Sequence, residues 1–130
     1  MALKGGTRFS VRFEDVFPAG CALVPDSIVE AQDYNEATRT RTPALDKLTG
    51  SRVWTVRVMD MDPDLAGRAR EVAVKISAPV QPVPESSVPF SPVEFEGMTV
   101  TPYVGPTGRM AYSLRASGFR VPVPAGRAAK

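Results

Sequence analysis

The chain has 130 residues, 43% of them hydrophobic and 23% charged, with a net charge of +2. This is the composition of one globular domain, and it excludes disorder of the whole chain and a histone-like charge footprint. It has no His and a single Cys, Cys21, so the usual general base, the commonest metal ligand and an internal disulfide are all excluded.

The first alternation is Phe9, Val11 and Phe13 against Arg8, Ser10, Arg12 and Glu14, which predicts a strand over Thr7 to Phe17. Cys21 to Val24 is a short apolar run stopped by Pro25 and Asp26; Cys21 is expected as an inert buried thiol. Residues 26 to 40 are polar and fit a short helix or an extended segment equally well. Thr40 to Leu45 and Arg52 to Asp60 read as a hairpin around the turn Asp46-Lys47-Leu48-Thr49-Gly50. Trp54, Val56 and Val58 share one face of the second strand, so Trp54 is expected in the core.

Met61 to Arg70 reads as a loop with one helical turn opening at Asp62-Pro63. Arg70 to Ala78 is a strand with Val72, Val74 and Ile76 inward. Five prolines between Pro79 and Pro92 exclude a central strand there and predict an extended connection. The strongest local signal is the hairpin of Val93 to Val104 with Arg109 to Phe119 around Gly105-Pro106-Thr107-Gly108; Tyr112 is placed on its apolar side. Residues 1–120 are expected as one β-rich domain and 121–130 as a frayed C-terminal tail. Several hairpins in a chain this short must hide their edges. An all-β, small antiparallel Greek-key barrel of the OB type does so, with a Pro-rich connection and at most one or two short helices.

Catalytic chemistry is missing. Gly5-Gly6 and Gly105-Pro106-Thr107-Gly108 match no phosphate loop, and Cys21 has no His to activate it. Asp60, Asp62 and Asp64 lack the glycine and closing glutamate of a calcium loop and read as a solvated turn. No catalytic residues, cofactor or metal site are expected, and the chain is read as a binding protein. Twelve of the sixteen basic residues are Arg, which pairs with phosphate and stacks on bases; GC-rich coding produces the same bias. If the alternation holds, Arg57, Lys75, Arg109, Arg115 and Tyr103 share the wet face of the central strands, and Arg8 and Arg12 widen it. Cations that follow phosphates beside an aromatic that stacks on bases are the equipment of single-strand binders. The plainer reading is that any one-sided sheet needs polar residues outside.

Four stretches carry a family resemblance: Met-Ala-Leu-Lys-Gly-Gly-Thr-Arg-Phe at the start, Gly20-Cys21-Ala22-Leu23-Val24-Pro25-Asp26-Ser27, Val93 to Val104, and Gly108 to Ala116. With Asp46, Lys47, Gly50 and Trp54 between them, the chain resembles the Pra family. These are small activators of plasmid replication, integration and excision from actinomycete integrative conjugative plasmids. The resemblance implies a cytoplasmic bacterial protein of a mobile element and supplies no catalytic residues. Residues and resemblance together predict an accessory DNA-binding protein, with single-stranded DNA as partner. The alternatives are an adaptor for a replication initiator, docking through Val83, Val88 and Phe90, and a duplex-binding transcriptional activator. No membrane span or signal peptide is read in the chain, and its oligomeric state is left open.

Overall fold

A computed structural model describes residues 6–84 and 88–122, apart from the Arg68 side chain. The strands are β1 (Phe9–Ser10), β2 (Cys21–Leu23), β3 (Val29–Glu30), β4 (Gln32–Asn35), β5 (Thr40–Pro43), β6 (Val53–Asp60), β7 (Glu71–Ser77), β8 (Pro92–Glu96), β9 (Thr99–Val104), β10 (Met110–Ala116) and β11 (Gly118–Arg120). One helical turn, α1 (Phe13–Val16), and a 3-10 turn at Gly67–Arg70 complete them.

β2, β6 and β7 form an antiparallel meander. β8 and β9 are the two halves of one long strand, and β10 and β11 the two halves of its partner. The register is unbroken between them, with Thr99 opposite Arg115 and Glu96 opposite Gly118. β10 lies parallel to β7, while β8 pairs with β2 and brings the curled sheet back to its first strand. This strand order is that of a small, partly open OB-like barrel, as the hairpin pattern predicts.

The core follows from the period of two. Trp54, Val56 and Val58 of β6 stand opposite Ile76, Val74 and Val72 of β7. Val56, Val58, Val74 and Ile76 are wholly buried, each contributing about 1.5–3 kcal/mol through removal from water. Trp54 is buried, its Nε1 donates to the Ala78 carbonyl at 3.0 Å, and the Arg52 guanidinium lies 4.7 Å from its ring centre. The same core packs Phe17 against Phe13 and Phe95, with centroids 5.5 and 6.2 Å apart, and Phe95 edge-on to Phe119.

The expected strand at Thr7–Phe17 is mostly absent: two residues pair with β9, then the chain turns into α1. Phe13 and Phe17 sit one helical turn apart, a spacing hidden inside the alternation of Phe9, Val11 and Phe13. Asp15 accepts the Arg12 amide at 3.2 Å and pairs with its guanidinium at 3.1 Å, which fixes the turn. The segment 26 to 40 is extended: β3 pairs with β6, and β4 pairs with β5 across a turn in which Arg39 has φ +54°. β5 therefore leaves β6 after a single bridge, Leu45 with Arg52, rather than forming the predicted hairpin with it. The helical turn expected at Asp62 comes later, because Asp62 Oδ1 accepts the Asp64 amide and closes a tight turn instead. The Pro-rich connection carries no strand at 79–84 or 88–91. Both projecting hairpins contain a proline, Pro43 in β5 and Pro102 in β9. The tail from 123 onward lies outside the described residues.

The long strand bends at Gly97, whose φ is +61° and whose missing Cβ would lie 2.7 Å from Ser117 Oγ. Ser117 returns both its amide and its hydroxyl to the Glu96 carbonyl, at 2.8 and 3.0 Å. Gly97→Ala is expected to cost about 1–2 kcal/mol, measured as a lower urea midpoint with unchanged slope. An unaltered midpoint would show that the bend tolerates a side chain.

Candidate nucleic-acid interface

The outer faces of β6, β7, β9 and β10 form the floor of a cleft of about 790 Å³. That is within the size range of small-ligand pockets. The β4–β5 arm and the loop after it make one wall through Ala31, Asp33, Ala44, Leu45 and Lys47. Tyr103 and Tyr112, on the projecting β9–β10 hairpin, make the other, and both are more than half-open to solvent or at that limit, at 50% and 63%. In the OB-like order the cleft lies between the connection after the first barrel strand and the turn joining the last two, over β7, β9 and β10, with Val53 alone from β6.

Four cations line the cleft: Arg8, Lys47, Lys75 and Arg115, against the carboxylates of Asp33 and Glu71. Lys75 and Arg115 are register partners in the parallel pair, so their side chains share one face. Arg8 and Arg115 are anchored beneath the cleft by Asp46, at 3.0 and 3.9 Å. The Asp46 side chain is 1% exposed. It also accepts from Ser77 Oγ and from the amides of Leu48 and Thr49 at 2.8 and 3.2 Å. Burial alone would push its carboxyl up; these donors outweigh burial and hold it well below the ordinary carboxylate range. Arg115 is held below the usual guanidinium range by burial and then by Arg8, against the opposite pull of Asp46. Lys47 and Lys75 form no ion pair among the described residues, so their charges are uncommitted.

The five residues expected at the interface are thus divided. Lys75, Tyr103 and Arg115 meet in the cleft. Arg57 lies outside its lining and holds Glu71 at the rim, 2.9 Å away, which offsets one of the two carboxylates. Arg109 is exposed at the base of the 105–108 turn, its carbonyl accepting the Gly105 amide at 2.8 Å, and does not line the cleft. Arg8 joins the patch; Arg12 is occupied by Asp15 and Glu14.

Tyr112 corrects its core assignment. It has inward parity, but at this point the hairpin has run past the barrel and inward means solvent; only Leu114 and Ala116 of β10 reach the core. Lys47 and Asp46 are site residues that the turn signal Asp-Lys-Leu-Thr-Gly concealed, since nothing local marks Asp46 as a partner of residues 8, 77 and 115.

Elsewhere the chemistry is quiet. Cys21 is buried, its Sγ 3.4 Å from the Val93 carbonyl, and burial followed by the charges of Asp60 and Glu94 pushes its thiol up to about 12. It is therefore a protonated, unreactive thiol. Asp60 and Asp62 each accept the amide two residues on, at 3.0 and 2.9 Å. Among the described residues no three acidic or thiol groups stand together as a metal site, and no helix is long and apolar enough to cross a membrane.

Fold and site together define an OB-like barrel with a basic cleft edged by tyrosines. Comparison of the chain with models of known protein families, with curated proteins and with solved structures finds no match.

Proposed function

We infer that the chain binds single-stranded nucleic acid, DNA in the first instance, along the cleft. The observation that carries this reading is the cleft itself: two uncommitted lysines and two anchored arginines between two projecting arms, with Tyr103 and Tyr112 exposed at its edge from the two faces of one of those arms. Cations there follow phosphates, and the tyrosines give stacking platforms. The mild net charge fits a localised patch with modest affinity. The resemblance to Pra proteins supplies a setting, since replication and transfer of a conjugative plasmid expose single strands on which an accessory binder acts.

The test is fluorescence anisotropy of labelled oligo-dT and of a matched duplex at two salt concentrations. Binding is expected to favour the single strand and to weaken with salt at a log–log slope of about −0.7 per phosphate neutralised. Equal affinity for the duplex, or no binding to either, overturns the reading. The second reading, an adaptor for a replication initiator, is favoured by Phe90, which is 54% exposed at φ +56° in the Pro-rich connection. It predicts capture of the initiator that Phe90→Ala abolishes, without any salt-dependent DNA binding.

A further inference from the structure

The floor of the cleft is not a continuous sheet. β7 and β10 are hydrogen-bonded strand to strand at only two register pairs, Lys75 with Arg115 and Ile76 with Ala116. Before these pairs the strands part, and Glu71 to Val74 and Met110 to Leu114 each have a strand on one side only among the described residues. Parity shows what lies between them. Ala73 and Ser113 face outward and line the cleft as expected, but Val72 and Leu114, which have inward parity and pack on the core, line it too. The cleft therefore descends between the strands to apolar side chains. Its walls there are two strand edges that no second strand covers among the described residues, and its closed end carries Lys75 and Arg115.

We propose that this gap is a slot for one unstacked nucleobase, so that the cleft reads a base as well as following a backbone. A base is the occupant whose chemistry matches each part. Its flat apolar faces suit a gap between two strands with Val72 and Leu114 in its lining. Its donor and acceptor edge suits strand edges, whose N–H and C=O groups have no second strand to bond among the described residues. Its phosphate falls beside Lys75 and Lys47, whose charges no carboxylate among the described residues pairs, with Arg115 next to them. Tyr103 or Tyr112 at the mouth stacks the neighbouring base. The proposal rests on the single-strand reading and adds base discrimination to it.

The experiment uses the full chain and oligonucleotides of about eight residues, inside the usual range of about 4–16 per OB-like barrel. Four homo-octamers and an octamer of abasic sugar-phosphate are titrated at one salt concentration. The wild-type chain is expected to separate its best from its worst base by about tenfold, and to bind the abasic octamer at least about tenfold more weakly than its preferred base. Ala73→Phe fills the mouth of the slot from an exposed position and leaves the lysines and tyrosines in place. It is expected to collapse the four affinities to one value while keeping the salt slope. Ser113→Phe, from the opposite strand, repeats the test if the first variant folds poorly. Salt-sensitive binding with equal affinity for all four bases overturns the slot and leaves single-strand binding standing. Failure to bind any oligonucleotide overturns both. Tight binding of an extended acidic hexapeptide of alternating Asp and Val, lost in Ala73→Phe and without base discrimination, would assign the gap to strand addition and overturn the proposal.

Discussion

Asp46→Asn is expected to destabilise the barrel by about 3–5 kcal/mol at neutral pH, the scale of breaking a buried charge pair from one side. The carboxylate is buried and receives Arg8, Ser77 and two backbone amides, with Arg115 at 3.9 Å. An amide keeps the volume but loses the charge, and it leaves the half-buried Arg8 and Arg115 to repel one another. The same carboxylate sets an acid limit. Its pKa is lower in the folded chain than in the unfolded one, so the unfolded chain binds the proton first as pH falls. The contribution is complete above the unfolded value near 4 and is lost progressively as pH falls below it toward the folded value. Urea unfolding at pH 7, 5, 4 and 3 checks this: wild type should lose stability below about pH 4, and the gap to Asp46→Asn should narrow with it. A gap that stays constant from pH 7 to 3 would show that the charge of Asp46 does not matter.

The largest expected effect on binding belongs to the pair Lys47→Ala with Lys75→Ala. Removal of two charge-assisted phosphate contacts should weaken oligo-dT binding by about 10–100-fold for each lysine at low salt. The salt slope should become shallower by about 1.4. Both side chains are exposed and make no ion pair among the described residues, so the urea midpoint should not move. The converse control is Arg57→Ala, which frees Glu71 at the rim and should weaken binding by less than either lysine. A slope unchanged in the double variant would place the phosphates elsewhere on the molecule.

What was legible in the sequence was whatever depends on the period of two. The inward faces of β6 and β7, the long C-terminal hairpin and the buried positions of Trp54 and Cys21 all follow from it. Local pattern misleads where a second period overlaps, as at Phe13 and Phe17, or where a strand outruns the core it is measured against, as at Tyr112. Half the site was equally readable, because Lys75, Arg115 and Tyr103 lie on regular strands whose outward positions can be counted. The rest depends on contacts between distant segments. Asp46 reaches Arg8 38 residues away and Ser77 31 residues away, and a turn pentapeptide gives no sign of either. The parting of β7 from β10 is hidden for the same reason: each strand has an ordinary sequence, and the gap comes from how the parallel pair closes.

The prolines of the two arms have a consequence for the behaviour of the chain in bulk. A projecting two-stranded ribbon with Tyr103, Val104 and Met110 exposed has the makings of a template on which further copies add edge to edge. Pro102 offers no N–H to such a ladder, and Pro43 withholds one from the other ribbon. On one edge of each arm, β9 in the first and β5 in the second, a further copy would therefore find a ladder with a missing donor, which makes those edges poorer templates for growth than their exposed side chains alone would suggest.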